Sequence, residues 1–146
     1  MSWTPYVAAA IKGRKPVGRM QGLSHHLICS DLIAVHGWSV AKHAAQKHMD
    51  LLRGGQSAVH GHTHRAQSVT ERDIVTGKLV HAWSPGCLST LQPAWAHLSP
   101  TVWSHGISLA YCEDACLRKR NPKWTPYTVA INRGECVLPG GTTIRV

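Results

Sequence analysis

Acidic residues are scarce in this chain: seven Asp and Glu stand against 16 Lys and Arg among 146 residues, a formal charge of +9 and a pI near 9.8. The surplus of positive charge favours an anionic partner, phosphate-bearing molecules foremost. Long apolar runs are missing too. None approaches the ~20 residues needed to cross a bilayer as a helix, which predicts no membrane association. The five cysteines, Cys29, Cys87, Cys112, Cys116 and Cys136, are odd in number and irregularly spaced. They exclude a disulfide framework and, with no signal-peptide pattern at the start, predict reduced thiols in a cytoplasmic protein. Cys112 and Cys116 have the spacing of one helix face, but no second cysteine pair completes a zinc knuckle. Internal repeats and low-complexity tracts are absent.

What is present fits one folded domain. The mass is 16.0 kDa, with 43% hydrophobic and 16% charged residues, enough apolar material to bury a core without staples. Residues 1–26 read as an irregular leader, with a loop at KGRKPVGRMQG (Lys12 to Gly22) whose charges are a solvated face or a phosphate-contacting arm. The run LICSDLIAV (Leu27 to Val35) predicts one buried strand ending at His36-Gly37. Ser39 is placed to cap a helix reaching Arg53, with Ala41, Ala44, Ala45, Met49 and Leu52 on its apolar face and Gly54-Gly55 ending it. His43 and His48, five apart, are expected at its surface. Ser57 to His60 predicts a second strand, and strand–helix–strand is the grammar of parallel neighbours.

Downstream, Ala66–Val75 and Lys78–Trp83 alternate around Thr76-Gly77 as a hairpin would. Ser84-Pro85-Gly86-Cys87 is a turn. Trp103–Tyr111 predicts a further strand. Tyr127–Ile131 and Glu135–Leu138 flank Asn132-Arg133-Gly134 as a second hairpin. A βαβ unit followed by antiparallel strands predicts an α/β fold, a layered α/β sandwich.

The chemistry concentrates in AVHGHTHRAQ, residues 58–67. In extended backbone, positions i and i+2 share a side, so His62 and His64 can reach one object together. Paired neutral imidazoles commonly hold a divalent metal. With 11 histidines in the chain, about one His-x-His pair arises by chance in a shuffled sequence, so the pair alone means little. Placement adds weight. If the two strands lie side by side, His36, His62 and His64 emerge at one carboxyl edge, where open α/β sheets build their sites.

These residues resemble the calcineurin-like metallophosphoesterases. The likeness lies in Ala34-Val35-His36-Gly37, in Val59-His60-Gly61-His62-Thr63-His64-Arg65, in the Ser84-Pro85-Gly86-Cys87 turn and in the closing TPYTVAINRGECVLPGG, which is similar to a bacterial and phage branch. It covers residues 27–146 and corresponds to the family's C-terminal half. The Asp-x-His, Gly-Asp-x-x-Asp and Gly-Asn-His motifs that precede this half in the family are absent from residues 1–35. The resemblance implies a layered sandwich of that type and two divalent transition ions (Mn, Fe or Zn), with His36 and His62 on one ion, His64 on the other, and Arg65 near a substrate phosphate. It implies phosphomonoester or phosphodiester hydrolysis on a phosphorylated substrate, a nucleotide or nucleic acid among the options, with the missing ligands supplied by an N-terminal half or a second subunit. The alternative is a non-catalytic basic module that binds metal or nucleic acid, using Arg118-Lys119-Arg120, Lys123 and Trp124.

Overall fold

The computed structural model describes residues 3–7, 18–20, 23–52, 55–96 and 100–145. Its framework is a mixed six-stranded sheet of β2 (Gly18–Met20), β3 (Leu23–Cys29), β4 (Leu32–Val35), β5 (Ser57–His60), β6 (Ala66–Arg72) and β7 (Leu79–Pro85), in the order β2-β3-β4-β5-β7-β6. The β4, β5 and β7 strands run parallel, and the outer pairs are antiparallel. Helix α1 (Ala44–Met49) crosses from β4 to β5, so the predicted βαβ unit is present and the fold is of the α/β type. A second sheet joins β1 (Trp3–Val7), β8 (Gly106–Glu113) and β9 (Trp124–Ala130), and a ribbon pairs β10 (Glu135–Val137) with β11 (Thr143–Arg145).

Both faces of the central sheet are covered, which is why β4 and β5 read as near-continuous apolar runs. Ile33, Val35, Ala58, Val80 and Ala82 pack against Met49 and Leu52 on the helix side. Ile28, Cys29, Leu32, Val59 and Trp83 face Ala110, Cys112 and Cys116 from the β8 side. Trp83 Nε1–H donates to Ser108 Oγ at 2.6 Å, fastening one sheet to the other.

The sequence reading needs four corrections. The run Leu27 to Val35 is two antiparallel strands rather than one, reversing at Ser30-Asp31. The Asp31 carboxylate accepts from Trp124 Nε1 at 2.8 Å and pairs with Lys78 at 3.5 Å. The polar dipeptide in the apolar run was the turn signal. Within the expected leader, residues 3–7 pair with β8 and residues 18–20 with β3. The rest of the expected Lys12–Gly22 loop lies outside the described residues.

The helix spans Ala44–Met49 and does not begin at Ser39, whose Oγ accepts only a local bond from Ala41 N–H at 3.3 Å. Side chains from the β5–β6 region claim the carbonyls that an earlier turn would have used. Arg65 donates to Ala41 O at 2.7 Å, Gln67 Nε2 donates to Lys42 O at 2.7 Å, and Gln67 Oε1 accepts the Ala45 N–H at 3.1 Å. Finally, the Asn132–Gly134 turn forms, with Arg133 and Gly134 at φ +51° and +77°, but its flanks do not make a hairpin. β9 pairs with β8 along its whole length and β10 pairs with β11, leaving one Asn132–Glu135 bridge. Val129, Cys136 and Leu109 form a small core at that junction. The predicted β6–β7 hairpin forms, paired from Ala66–Pro85 to Arg72–Leu79, but its strands stop short of the expected Thr76-Gly77 turn and Asp73 to Lys78 connect them as a longer loop.

No helix among the described residues is long and apolar enough to cross a membrane.

Gly106, at the start of β8, lies so close to the end of β7 that an added Cβ would sit 2.2 Å from Pro85 O and 3.1 Å from Val129 O. Both obstacles are backbone. Gly106→Ala is expected to lower stability by about 3 kcal/mol, the upper range for overpacking a tight interior, read as a fall in the urea midpoint at unchanged slope.

Candidate metal centre at the carboxyl edge of the parallel strands

The pairing of β4 with β5 runs from Leu32–Ser57 to Val35–His60, so the residues after each strand leave the sheet together. Gly61 N–H donates to Val35 O at 3.3 Å. The two loops then turn sharply, with Gly37, His62 and His64 at φ +93°, +74° and +56°. A positive φ is uncommon for a non-glycine residue, and histidine is among the types that tolerate it. Gly37 is required by space as well as by φ. A Cβ there would meet Gly61 O at 2.9 Å, His48 Nε2 at 3.2 Å and the His62 Cβ at 3.3 Å.

This geometry brings His36 and His62 together. Their rings stand edge to face with centroids 5.1 Å apart, and His36 Nε2 lies 3.2 Å from His62 Nδ1. Without metal, that contact is a hydrogen bond between the two imidazoles. Two nitrogens on one ion at about 2.0–2.1 Å are separated by roughly 3.0–3.4 Å for angles between right and tetrahedral, so the same spacing suits two ligands of one cation. Both side chains are exposed at the edge. His64 stands apart from this pair. Among the described residues, only Cys29, Cys112 and Cys116 bring three possible ligand atoms within 4.8 Å of one another. The His64 ring lies against Trp103, centroids 4.3 Å apart, and its Nδ1 is buried without a partner. A buried polar nitrogen without a partner is costly, and in the tautomer that leaves Nδ1 unprotonated a metal ion would meet that need.

Arg65 donates to Ala41 O at 2.7 Å and Val40 O at 3.4 Å. It therefore ties the loop after β5 to the loop after β4. The Ser84–Cys87 turn lies alongside: Gly86, at φ +105°, leaves no room for a Cβ beside Ser104 O, and Ser104 N–H donates to His64 O at 2.9 Å.

Two further histidines form the floor. His48, expected at the surface, is 2% exposed and stacks on the 1% exposed His60 at 3.8 Å and 8°. It fell on the apolar stripe, four residues from both Ala44 and Leu52, and that placement was the signal of its burial. Their tautomers are fixed. His48 Nδ1–H donates to Ala44 O at 2.7 Å while Nε2 accepts the Trp38 N–H at 3.3 Å. His60 Nδ1–H donates to Gly61 O at 3.2 Å, which leaves its buried Nε2 as a lone pair. Burial lowers the pKa of both. For His60, desolvation and the neighbouring His48 bring the pKa from 6.5 down to about 4.

In the basic segment, Trp124 is half-buried, bonded to Asp31 and packed near Trp83 and His81, and it lines an open cleft with Lys78 and Lys123. Lys119 Nζ pairs with Glu113 at 2.6 Å. Comparison with protein families, curated proteins and solved structures finds no match to this chain.

The histidine floor makes stability depend on pH. His60 is held neutral in the fold, with its pKa below the unfolded value, so its contribution is complete above pH 6.5 and is lost as pH falls from 6.5 to about 4. The expected loss for the metal-free protein is about 3 kcal/mol between those limits, and His48 shifts in the same direction. Urea unfolding at pH 7 and pH 4 measures it. His60→Phe, which keeps a ring in the stack, should reduce the difference.

Proposed function

We propose that this chain is the histidine-bearing C-terminal half of a calcineurin-like metallophosphoesterase centre, a hydrolase half-site that acts on phosphate esters when its remaining ligands are supplied by an N-terminal half or a second subunit. The observation that carries this reading is the 3.2 Å separation of His36 Nε2 and His62 Nδ1 at the carboxyl edge of paired parallel strands. The orphaned His64 Nδ1, apart from that pair, supports a second position. His36 and His62 would hold one divalent ion and His64 the other. Imidazole suits Fe or Zn, and carboxylate ligands supplied by the other half would favour Mn or Fe. Such ions lower the pKa of water and neutralise charge on phosphoryl oxygens.

The chain's own contribution is positioning. Gly37 and Gly61 bring the two loops into contact, the His48–His60 stack supports them from beneath, and Arg65 locks the loop after β4 in place. The +9 charge raises the local concentration of anionic esters, an attraction that weakens as salt rises. What the edge lacks is negative charge to balance two cations, and that deficit makes the chain a half-site. The nucleic-acid-binding alternative rests on the net charge, the exposed Arg118, Arg120 and Lys123 and the partly exposed Trp124 beside them.

Mn²⁺ titration by calorimetry should show weak binding that falls at least about tenfold in His36→Ala and in His62→Ala, since ligand loss costs no less than loss of an outer-shell partner. Mn²⁺ is chosen because thiolates bind it poorly. The isolated chain should hydrolyse bis-p-nitrophenyl phosphate at the background rate. Mixing it with a polypeptide that carries the Asp-x-His, Gly-Asp-x-x-Asp and Gly-Asn-His motifs should restore turnover. A complex that forms yet stays inactive with Mn²⁺, Fe²⁺ or Zn²⁺ would leave the basic binding module as the better account.

A further inference from the structure

At the opposite end of the central sheet from the histidines, three cysteines meet. Cys29 closes β3 opposite Leu32, the first residue of β4, so it lies about 13 Å along the sheet from His36 at ~3.3 Å per residue. Cys112 is the penultimate residue of β8, and Cys116 follows in the turn after it. Their sulfurs all lie within 4.8 Å of one another, and the three residues are 0%, 4% and 8% exposed. All are free thiols. Cys116 Sγ–H has one weak outlet to Ile28 O at 3.4 Å, and Cys112 Sγ–H one to Ala110 O at 3.9 Å.

A single buried cysteine packs as a small hydrophobe. Three in mutual contact, drawn from two sheets, form a ligand set. Zinc with Zn–S bonds of about 2.3 Å places tetrahedral sulfurs about 3.8 Å apart, a spacing inside the 4.8 Å within which these sulfurs lie. No imidazole or carboxylate among the described residues joins the group, and three thiolates without a hard ligand select a soft cation. A cleft of about 450 Å³ is lined by Ile28, Cys112 and the segment Glu113 to Arg118, which includes Cys116. It supplies an entry path and room for water as fourth ligand, and its wall carries Arg118 beside Glu113 and Asp114.

We infer that Cys29, Cys112 and Cys116 form a structural site for a thiophilic cation of the Zn²⁺ class, bracing the central sheet against the β1-β8-β9 sheet. On binding, each thiol gives its proton to the buffer and its lone pair to the metal, with no change of oxidation state. The site is independent of the histidine edge.

The test uses the whole reduced chain carrying His36→Ala and His62→Ala, which removes that edge. Co²⁺ should produce a sulfur-to-cobalt charge-transfer band in the near ultraviolet that saturates at one equivalent and is displaced by Zn²⁺. Cys29→Ser, Cys112→Ser and Cys116→Ser should each abolish the band, and Cys87→Ser and Cys136→Ser should leave it intact. Because a buried Cys→Ser change can itself unfold the chain, a second measurement needs no cysteine variant. One equivalent of Zn²⁺ should slow modification of three of the five thiols by a disulfide reagent at least about tenfold, through metal-coupled protection. The inference is overturned by a folded chain with no thiolate band, by a band that survives Cys29→Ser, or by unchanged thiol reactivity with Zn²⁺. A mass two hydrogens lighter after purification under air, with no metal uptake on re-reduction, would instead mark the trio as a disulfide-forming group.

Discussion

The parallel register of β4 and β5, with Val35 opposite His60, is the constraint on which the candidate site depends. Side chains alternate along a strand, so a slip of one residue would turn each strand's apolar set to the wrong face. It would also separate His36 from the Gly61-His62 turn. The register is fixed from three directions. Ile33, Val35 and Ala58 key into Met49 and Leu52 of the crossover helix. Leu32 and Val59 key into the β8 side. The His48–His60 stack joins the helix directly to the last residue of β5. The same packing that makes the βαβ unit stable therefore delivers two imidazoles to one point.

Strain enters where the site begins. Gly37, His62 and His64 all adopt positive φ within two short loops, and a conformation of this kind persists only where the surroundings over-determine it. Here they do: Arg65 is bound to Ala41 and Val40 carbonyls, Ser104 holds the His64 carbonyl, and Thr63 is buried beside Ser84. The cost of shortening α1 falls on the same account. Carbonyls that would have accepted helical bonds are given to Arg65 and Gln67, so the loop after β4 is held by the strand after β5 and the two halves of the edge move as one.

What the sequence made legible follows from range. The βαβ order, the β6–β7 hairpin and the glycine-histidine loops are set by local periodicity and turn chemistry, and they could be read directly. Residues whose state depends on distant partners could not. Ser30-Asp31 looked like a flaw in one strand because the groups that secure Asp31, Lys78 and Trp124, are far along the chain. Ser39 looked like a helix cap because Arg65 and Gln67 could not be seen claiming the next carbonyls. Cys29 seemed unrelated to Cys112 and Cys116, since only the approach of two sheets joins them. His48 was the exception: its position on the apolar stripe was visible, and the expectation that histidine stays at the surface overrode it.

The scarcity of acid has a structural consequence as well as an electrostatic one. Asp31 secures the β3–β4 turn, Asp73 closes the β6–β7 turn, Glu113 holds Lys119 and the Lys123 amide, and Glu135 pairs with Arg145. Gln46 bridges Asp50 and Glu71. With six of the seven acids so engaged, the fold holds almost no carboxylate in reserve for the histidine edge. If the proposed ion binds there, imidazoles would hold it without offsetting its charge, and an uncompensated cation keeps much of its preference for water. The balancing charge would then have to arrive with a partner segment or with the phosphate itself. The proposed site therefore carries a consequence in linkage: metal affinity and anion affinity at the histidine edge would be coupled, each weak alone and each strengthening the other when both are present.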